Sequence, residues 1–154
     1  MKALLTILVL LIAQQPLFVK GKGFKGYIFS EDVEMYVYFK EKPGRFTPTR
    51  AEVILCEKLL KEQLRNIKQS KAAQCAGCLV IHENLQRYMR QYVGYINEKG
   101  EKILWINMLW DESSYLEDVD KRIIMVDDGG NYYWNVKVNL KSAKIYDLQI
   151  NGHG

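Results

Sequence analysis

Gln91-Tyr92-Val93-Gly94-Tyr95-Ile96-Asn97, then Glu98-Lys99-Gly100, then Lys102 to Trp110 (KILWINMLW) is the stretch whose reading decides the fold. Both flanks are dense in β-branched and aromatic residues, the side chains that suit a pleated, half-buried surface. Gly100 supplies the positive φ of a hairpin turn between them. The spacing predicts two antiparallel strands.

The same pattern continues toward the C-terminus. Arg122 to Val126 (RIIMV) reads as a third strand, and Asp127-Asp128-Gly129-Gly130 is a strong turn signal. In Tyr132 to Leu140 (YYWNVKVNL), Trp134, Val136, Val138 and Leu140 alternate with Tyr133, Asn135, Lys137 and Asn139, so each set lies on one face. Ile145 to Ile150 (IYDLQI) is the last strand, with Tyr146, Leu148 and Ile150 expected to face the core. Short connections imply an antiparallel meander with one buried and one wetter face.

Upstream, Val33 to Phe39 (VEMYVYF) reads as another strand, closed by Lys42-Pro43-Gly44. A helix follows. Thr47-Pro48 places a hydroxyl before a proline, and Thr49-x-x-Glu52 is an alternative capping box. Val53, Cys56, Leu60, Leu64 and Ile67 recur at spacings of three and four and form one apolar stripe. Glu52, Glu57, Lys58, Lys61, Glu62 and Arg65 are expected on solvated faces. His82 to Arg90 is compatible with a short second helix. The fold class expected is α+β: one long amphipathic helix packed on a four- to five-stranded antiparallel sheet.

The N-terminus has a different character. Met1-Lys2 is a positive start, Ala3 to Ala13 is apolar apart from Thr6, and Gln14-Gln15-Pro16 ends the run. This is the layout of a secretory signal peptide, and the run is short of the roughly 20 apolar residues that span a bilayer. Small residues suited to peptidase cleavage occur in Val19-Lys20-Gly21 and in Gly21-Lys22-Gly23. The expected organisation is a signal peptide over 1–21, a flexible Gly- and Lys-rich lead-in over 22–32, and one α+β domain over 33–154. Localisation is then secreted or periplasmic, with no membrane attachment after cleavage. A cut after Gly21 removes Lys2 and Lys20 and no acid, which takes the net charge from +4 to +2. That small charge, without a basic stripe, gives no case for a nucleic-acid partner.

Gly94-Tyr95-Ile96-Asn97, Trp105-Ile106-Asn107, Asp128-Gly129-Gly130-Asn131, Val136 to Leu140 and Asn151-Gly152 resemble a group of small exported bacterial proteins with no assigned activity. That resemblance implies export and a one-domain fold. The order of elements is similar to the cystatin fold. Gln91-Tyr92-Val93-Gly94 resembles the Gln-x-Val-x-Gly hairpin of cystatin protease inhibitors, with Gly directly after Val here. The resemblance implies a cystatin-like scaffold and, as one alternative, protease inhibition.

Chemistry-bearing residues are few. Cys75-Ala76-Gly77-Cys78 has the spacing of a disulfide, a redox pair or half a zinc site. An oxidising compartment favours the disulfide. The third cysteine, Cys56, lies on the apolar stripe of the helix, buried as a thiol or paired with one of the other two. His82 and His153 are the only histidines, and no Ser sits in a nucleophile elbow. Asp111-Glu112, Glu117-Asp118-Asp120 and Asp127-Asp128 read as a solvated loop and a turn, off the spacing of a calcium loop. No cofactor or metal is expected.

The candidate binding face is the wetter side of the sheet: Trp105, Asn107, Tyr133, Asn135 and Lys137. Rings beside amides suit a peptide or glycan. The function expected is a non-catalytic binding module for an unknown protein, peptide or glycan. The alternatives are an inhibitor and a thiol–disulfide protein using Cys75 and Cys78.

Overall fold

The computed structural model of the 154-residue chain describes residues 15–33, 44–67 and 78–152. Seven strands form one mixed sheet: β1 (Leu17–Gly21), β2 (Phe24–Ile28), β3 (Gly44–Phe46), β4 (Tyr88–Ile96), β5 (Lys102–Trp110), β6 (Tyr133–Asn139) and β7 (Lys144–Ile150). Their order across the sheet is β1-β2-β4-β5-β6-β7, and β3 pairs with the remaining length of β4. Among the described residues there is one α-helix, α1 (Arg50–Gln63), which continues as a 3-10 turn over Leu64–Asn66.

The β4–β5 hairpin is the one read from the sequence, with Tyr88 opposite Trp110 and Ile96 opposite Lys102. Its turn closes with the Gly100 amide donating to the Asn97 carbonyl, and Gly100 has φ +72°. β6 also follows its alternation: Trp134, Val136 and Val138 are buried against α1.

The expected four- to five-stranded antiparallel sheet is corrected in number and in direction. The residues expected as a lead-in carry β2, and the end of the expected signal segment carries β1. These two strands pair antiparallel around Lys22-Gly23, with Gly23 at φ +78°. β2 then runs parallel to β4, Lys25 opposite Met89 and Ile28 opposite Tyr92. Gly26 permits this approach. A Cβ there would lie 2.5 Å from the Arg90 carbonyl oxygen and 2.8 Å from the Arg90 Cβ. What composition presents as a flexible glycine is a close backbone contact.

Other elements also differ from expectation. The strand expected over Val33 to Phe39 falls almost wholly on residues outside the described ones. The expected short helix is two 3-10 turns, Ile81–Glu83 and Leu85–Arg87, after which β4 begins. Arg122 to Val126 is not a strand but an irregular segment packed on the sheet. In β7, Ile145 is buried in place of Tyr146, while Leu148 and Ile150 pack on the core. An extra residue in β7 opposite Asn135–Lys137, with Asp147 at φ +50°, changes which face later residues meet.

α1 is capped at Thr49, the second of the two possible starts. Thr49 Oγ1 accepts the Glu52 amide at 3.2 Å, and Glu52 Oε2 accepts the Thr49 amide at 2.8 Å. Val53, Cys56, Leu60 and Leu64 face the sheet as the spacing predicts, joined by Leu59. The second sheet face is covered too. Phe29, Val93, Tyr95, Ile103 and Trp105 form one buried cluster there, and Leu109, Val119 and Ile124 form another. The expected wetter face is therefore replaced by a second core layer, roofed by the 111–129 connection.

Candidate functional site

Trp105, Asn107, Tyr133, Asn135 and Lys137 do share one face, because β5 and β6 set Trp105 opposite Lys137, Asn107 opposite Asn135 and Leu109 opposite Tyr133. The structure uses most of their bonding capacity internally. Trp105 is 3% exposed, and its Nε1 donates to Asn135 Oδ1 at 3.0 Å. The Asn107 amide donates to the Ile124 carbonyl at 2.7 Å and to Gln91 Oε1 at 3.1 Å. Gln91 also donates to the Val119 and Arg122 carbonyls and accepts the Ile124 amide. These two side chains thus satisfy an otherwise unladdered backbone and fasten the roof to the sheet. Tyr133 donates to Ser113 Oγ at 2.8 Å, and Lys137 pairs with Asp147 at 2.9 Å. Trp105 and Asn107 do not present themselves to a ligand.

The Gln91-Tyr92-Val93-Gly94 stretch is buried in the middle of β4, not at the hairpin tip. It has no free edge to wedge into a protease cleft. Gly94 serves the fold, since a Cβ there would lie 2.4 Å from the Phe46 carbonyl oxygen in β3. Cys75 lies outside the described residues, so the Cys75–Cys78 pairing remains a proposal. Cys56 is a free, buried thiol. Burial, then the charges of Glu57 and Glu52, push its pKa far above the usual thiol range, which makes it a poor nucleophile.

The sequence reading missed a buried ionic cluster. Glu57, expected on a solvated face, is 2% exposed and meets the fully buried Arg90. Arg90 Nε donates to Glu57 Oε1 at 3.1 Å and Nη2 to Oε2 at 3.3 Å. Tyr92 donates to Glu57 Oε1 at 2.9 Å. The guanidinium also donates to the Tyr88 and Gly23 carbonyls. One cluster therefore links α1, β4 and the β1–β2 turn. Burial, followed by the Glu57 charge, pushes the Tyr92 phenol well above its ordinary range. A signal was present in the sequence: Arg90 has the inward parity of Tyr88 and Tyr92, and Glu57 is four residues after Val53 and three before Leu60. Two opposite charges on two apolar faces point to each other.

The described residues also form open clefts. One, about 490 Å³, lies among Asn97, Glu101, Asn139, Lys144 and Tyr146 at the hairpin ends. Its polar groups serve the turns: Asn97 Oδ1 accepts the Lys99 and Glu101 amides, and Asn139 Oδ1 accepts those of Lys141 and Ser142. Bonds from Asn139 and Asn97 hold the Glu101 carboxyl below its ordinary value.

The second cleft, about 460 Å³, lies between α1 and the β1–β2 hairpin. Phe24 and Ile54 give it apolar walls, and Ile54 is 53% exposed. Four lysines, Lys20, Lys22, Lys58 and Lys61, line it against two carboxylates, Glu57 and Glu62. Glu57 is already balanced by Arg90, and Glu62 sits 3.8 Å from Lys58. The cleft adjoins β1, the terminal strand of the sheet, whose outer edge pairs with no other described strand. Leu17 and Phe18 on that strand are exposed.

No protein-family model matches the chain, and comparison with curated proteins and with solved structures finds no similar protein.

Proposed function

We propose that the chain is an exported, non-catalytic interaction domain that takes an extended acidic segment of a partner protein along the outer edge of β1. The observation that carries this reading is the lysine-lined, apolar-walled cleft beside that edge, with which no other described strand pairs. A sheet edge offers unpaired backbone donors and acceptors to an added strand, and pockets beside it select alternate side chains. Here the walls suit an apolar side chain and the rim suits carboxylates. The charged leader sequence, rather than any property of the fold, supports export. No helix among the described residues is long and apolar enough to cross a membrane.

The test is calorimetric titration with extended peptides that alternate Asp or Glu with Leu or Phe, beside matched peptides carrying Lys. The acidic set should bind, more weakly as salt rises, because exposed charge pairs are screened within about 10 Å at 0.1 M. Lys20→Glu and Ile54→Asp should each weaken binding by about tenfold, equivalent to ~1.4 kcal/mol. Equal binding of acidic and basic sets, or indifference to both substitutions, would refute the assignment.

A further inference from the structure

We infer that the edge of β1 takes a short partner strand running antiparallel to it, whose residues follow the pattern apolar, acidic, any, aromatic. The inference rests on the proposal that an extended acidic segment binds there, and it fixes that segment's direction, register and side chains.

Backbone parity decides what the edge offers. Gly21 and Phe24 face each other across Lys22-Gly23, and the ends of so tight a turn bond to each other. Bonding then alternates along the two strands, so Val19 with Gly26 and Leu17 with Ile28 are the next pairs to exchange amide and carbonyl. The other side of β2 agrees. The Phe29 amide donates to the Tyr92 carbonyl at 3.0 Å, so the odd-numbered residues of β2 face β4 and the even-numbered ones face β1. Phe18 and Lys20 therefore point amide and carbonyl outward, where no other described strand takes them up. Pro16 has the same parity and no amide to donate, so the edge ends there. At its other end the Lys22-Gly23 turn closes it, with Gly23 at φ +78°. The opposite margin of the sheet does not match it: in β7 an extra residue and Asp147 at φ +50° break the spacing of the outward groups.

Side-chain parity supplies the pattern. Val19 lies in the core under α1, and Gly21 shares its side of the strand. Phe18 and Lys20 take the other side, where Phe18 meets Tyr27 with ring centroids 5.2 Å apart. An antiparallel partner sets successive residues opposite Gly21, Lys20, Val19 and Phe18. The first lies beside Gly21, where the Phe24 ring occupies the place of a Cβ, and points toward the cleft walled by Phe24 and Ile54. An apolar side chain fits there. The second stands beside the exposed Lys20 and suits a carboxylate. The fourth stands beside Phe18, 45% exposed, and suits an aromatic ring.

The test titrates the full chain with the blocked peptide Ser-Leu-Glu-Thr-Tyr-Ser, its reversed sequence, and versions of the first N-methylated at Glu, Thr or Tyr. The forward peptide should bind about tenfold more tightly than the reversed one. N-methylation at Glu or Tyr removes a donor aimed at the Lys20 or Phe18 carbonyl and should weaken binding about tenfold, the worth of one such hydrogen bond. The Thr amide points away from β1, so N-methylation there should leave binding nearly unchanged. Lys20→Glu should lose the peptide and regain it when Lys replaces its Glu. Tighter binding of the reversed peptide, equal effects of the three methylations, or failure of the charge exchange would overturn the inference while leaving an acidic segment at this edge. Binding by none of these peptides would overturn the inference and the proposed function together, and a chain that also sediments as a dimer would give the edge to a second copy.

Discussion

Replacing Arg90 by Met removes the guanidinium that balances Glu57 and leaves a carboxylate, 2% exposed, with the Tyr92 hydroxyl as its remaining polar contact in the cluster. The Gly23 and Tyr88 carbonyls lose a donor at the same time. Breaking a buried pair by deleting one partner costs about 3–5 kcal/mol, because the other charge stays desolvated. That is a large share of the roughly 5–15 kcal/mol that holds a domain together. For a domain of this size the melting temperature should fall by roughly 10–20 °C. The double variant Glu57→Leu with Arg90→Met removes both charges and keeps the volume apolar. It should lose only about 1–3 kcal/mol, mainly from the carbonyls and the Tyr92 hydroxyl left without partners. Urea unfolding followed by tryptophan fluorescence measures both, compared through the midpoint at constant slope. A single variant costing under about 1 kcal/mol, or a double variant equal to the sum of the two singles, would refute the uncompensated-charge argument.

Gly26→Ala should destabilise by about 1–3 kcal/mol, since a Cβ 2.5 Å from a backbone oxygen forces β2 away from β4; hydrogen exchange should accelerate first in the β2 amides, and unchanged protection there would contradict the close-contact account. Acid sensitivity should come in part from Asp147: burial raises its pKa, but bonds from Lys137 and Gln149 outweigh that and hold it below its ordinary 3.8. A depressed folded pKa gives stability that is present above the ordinary value and is lost as pH falls through the folded one. Lys137→Met should therefore cost up to about 1 kcal/mol at pH 7 and nothing once Asp147 is protonated. A gap that persists unchanged at pH 2 would refute the linkage.

Local signals were legible where one strand or helix decides its own conformation. The Asn97–Gly100 turn, the alternation in β6 and the Val53–Cys56–Leu60–Leu64 stripe each depend on residues a few positions apart, and each is found as read. Parity groups Trp105 with Asn107 and Tyr133 with Asn135 and Lys137 within their own strands, and the β5–β6 register then brings the two sets to one face. Parity says nothing about what covers a face. Gln91 and Asn107 look like wet-side polar residues in sequence, yet their amides hold the 119–124 backbone over the sheet. The β7 bulge is similarly hidden, because one extra residue reverses parity without a distinctive composition.

The sequence by itself determined a chain rich in strands, with one capped amphipathic helix and a central β4–β5 hairpin. Those features are written in nearest-neighbour chemistry: capping hydroxyls, turn glycines, and periods of two and of three to four. Only the tertiary structure decided that Leu17–Gly21 belongs to the sheet, that β2 lies parallel to β4 and that Glu57 meets Arg90. Each of these joins segments dozens of residues apart, and the residues that permit them, a missing Cβ at Gly26 and a lone charge on each apolar face, acquire meaning only from the partner they meet.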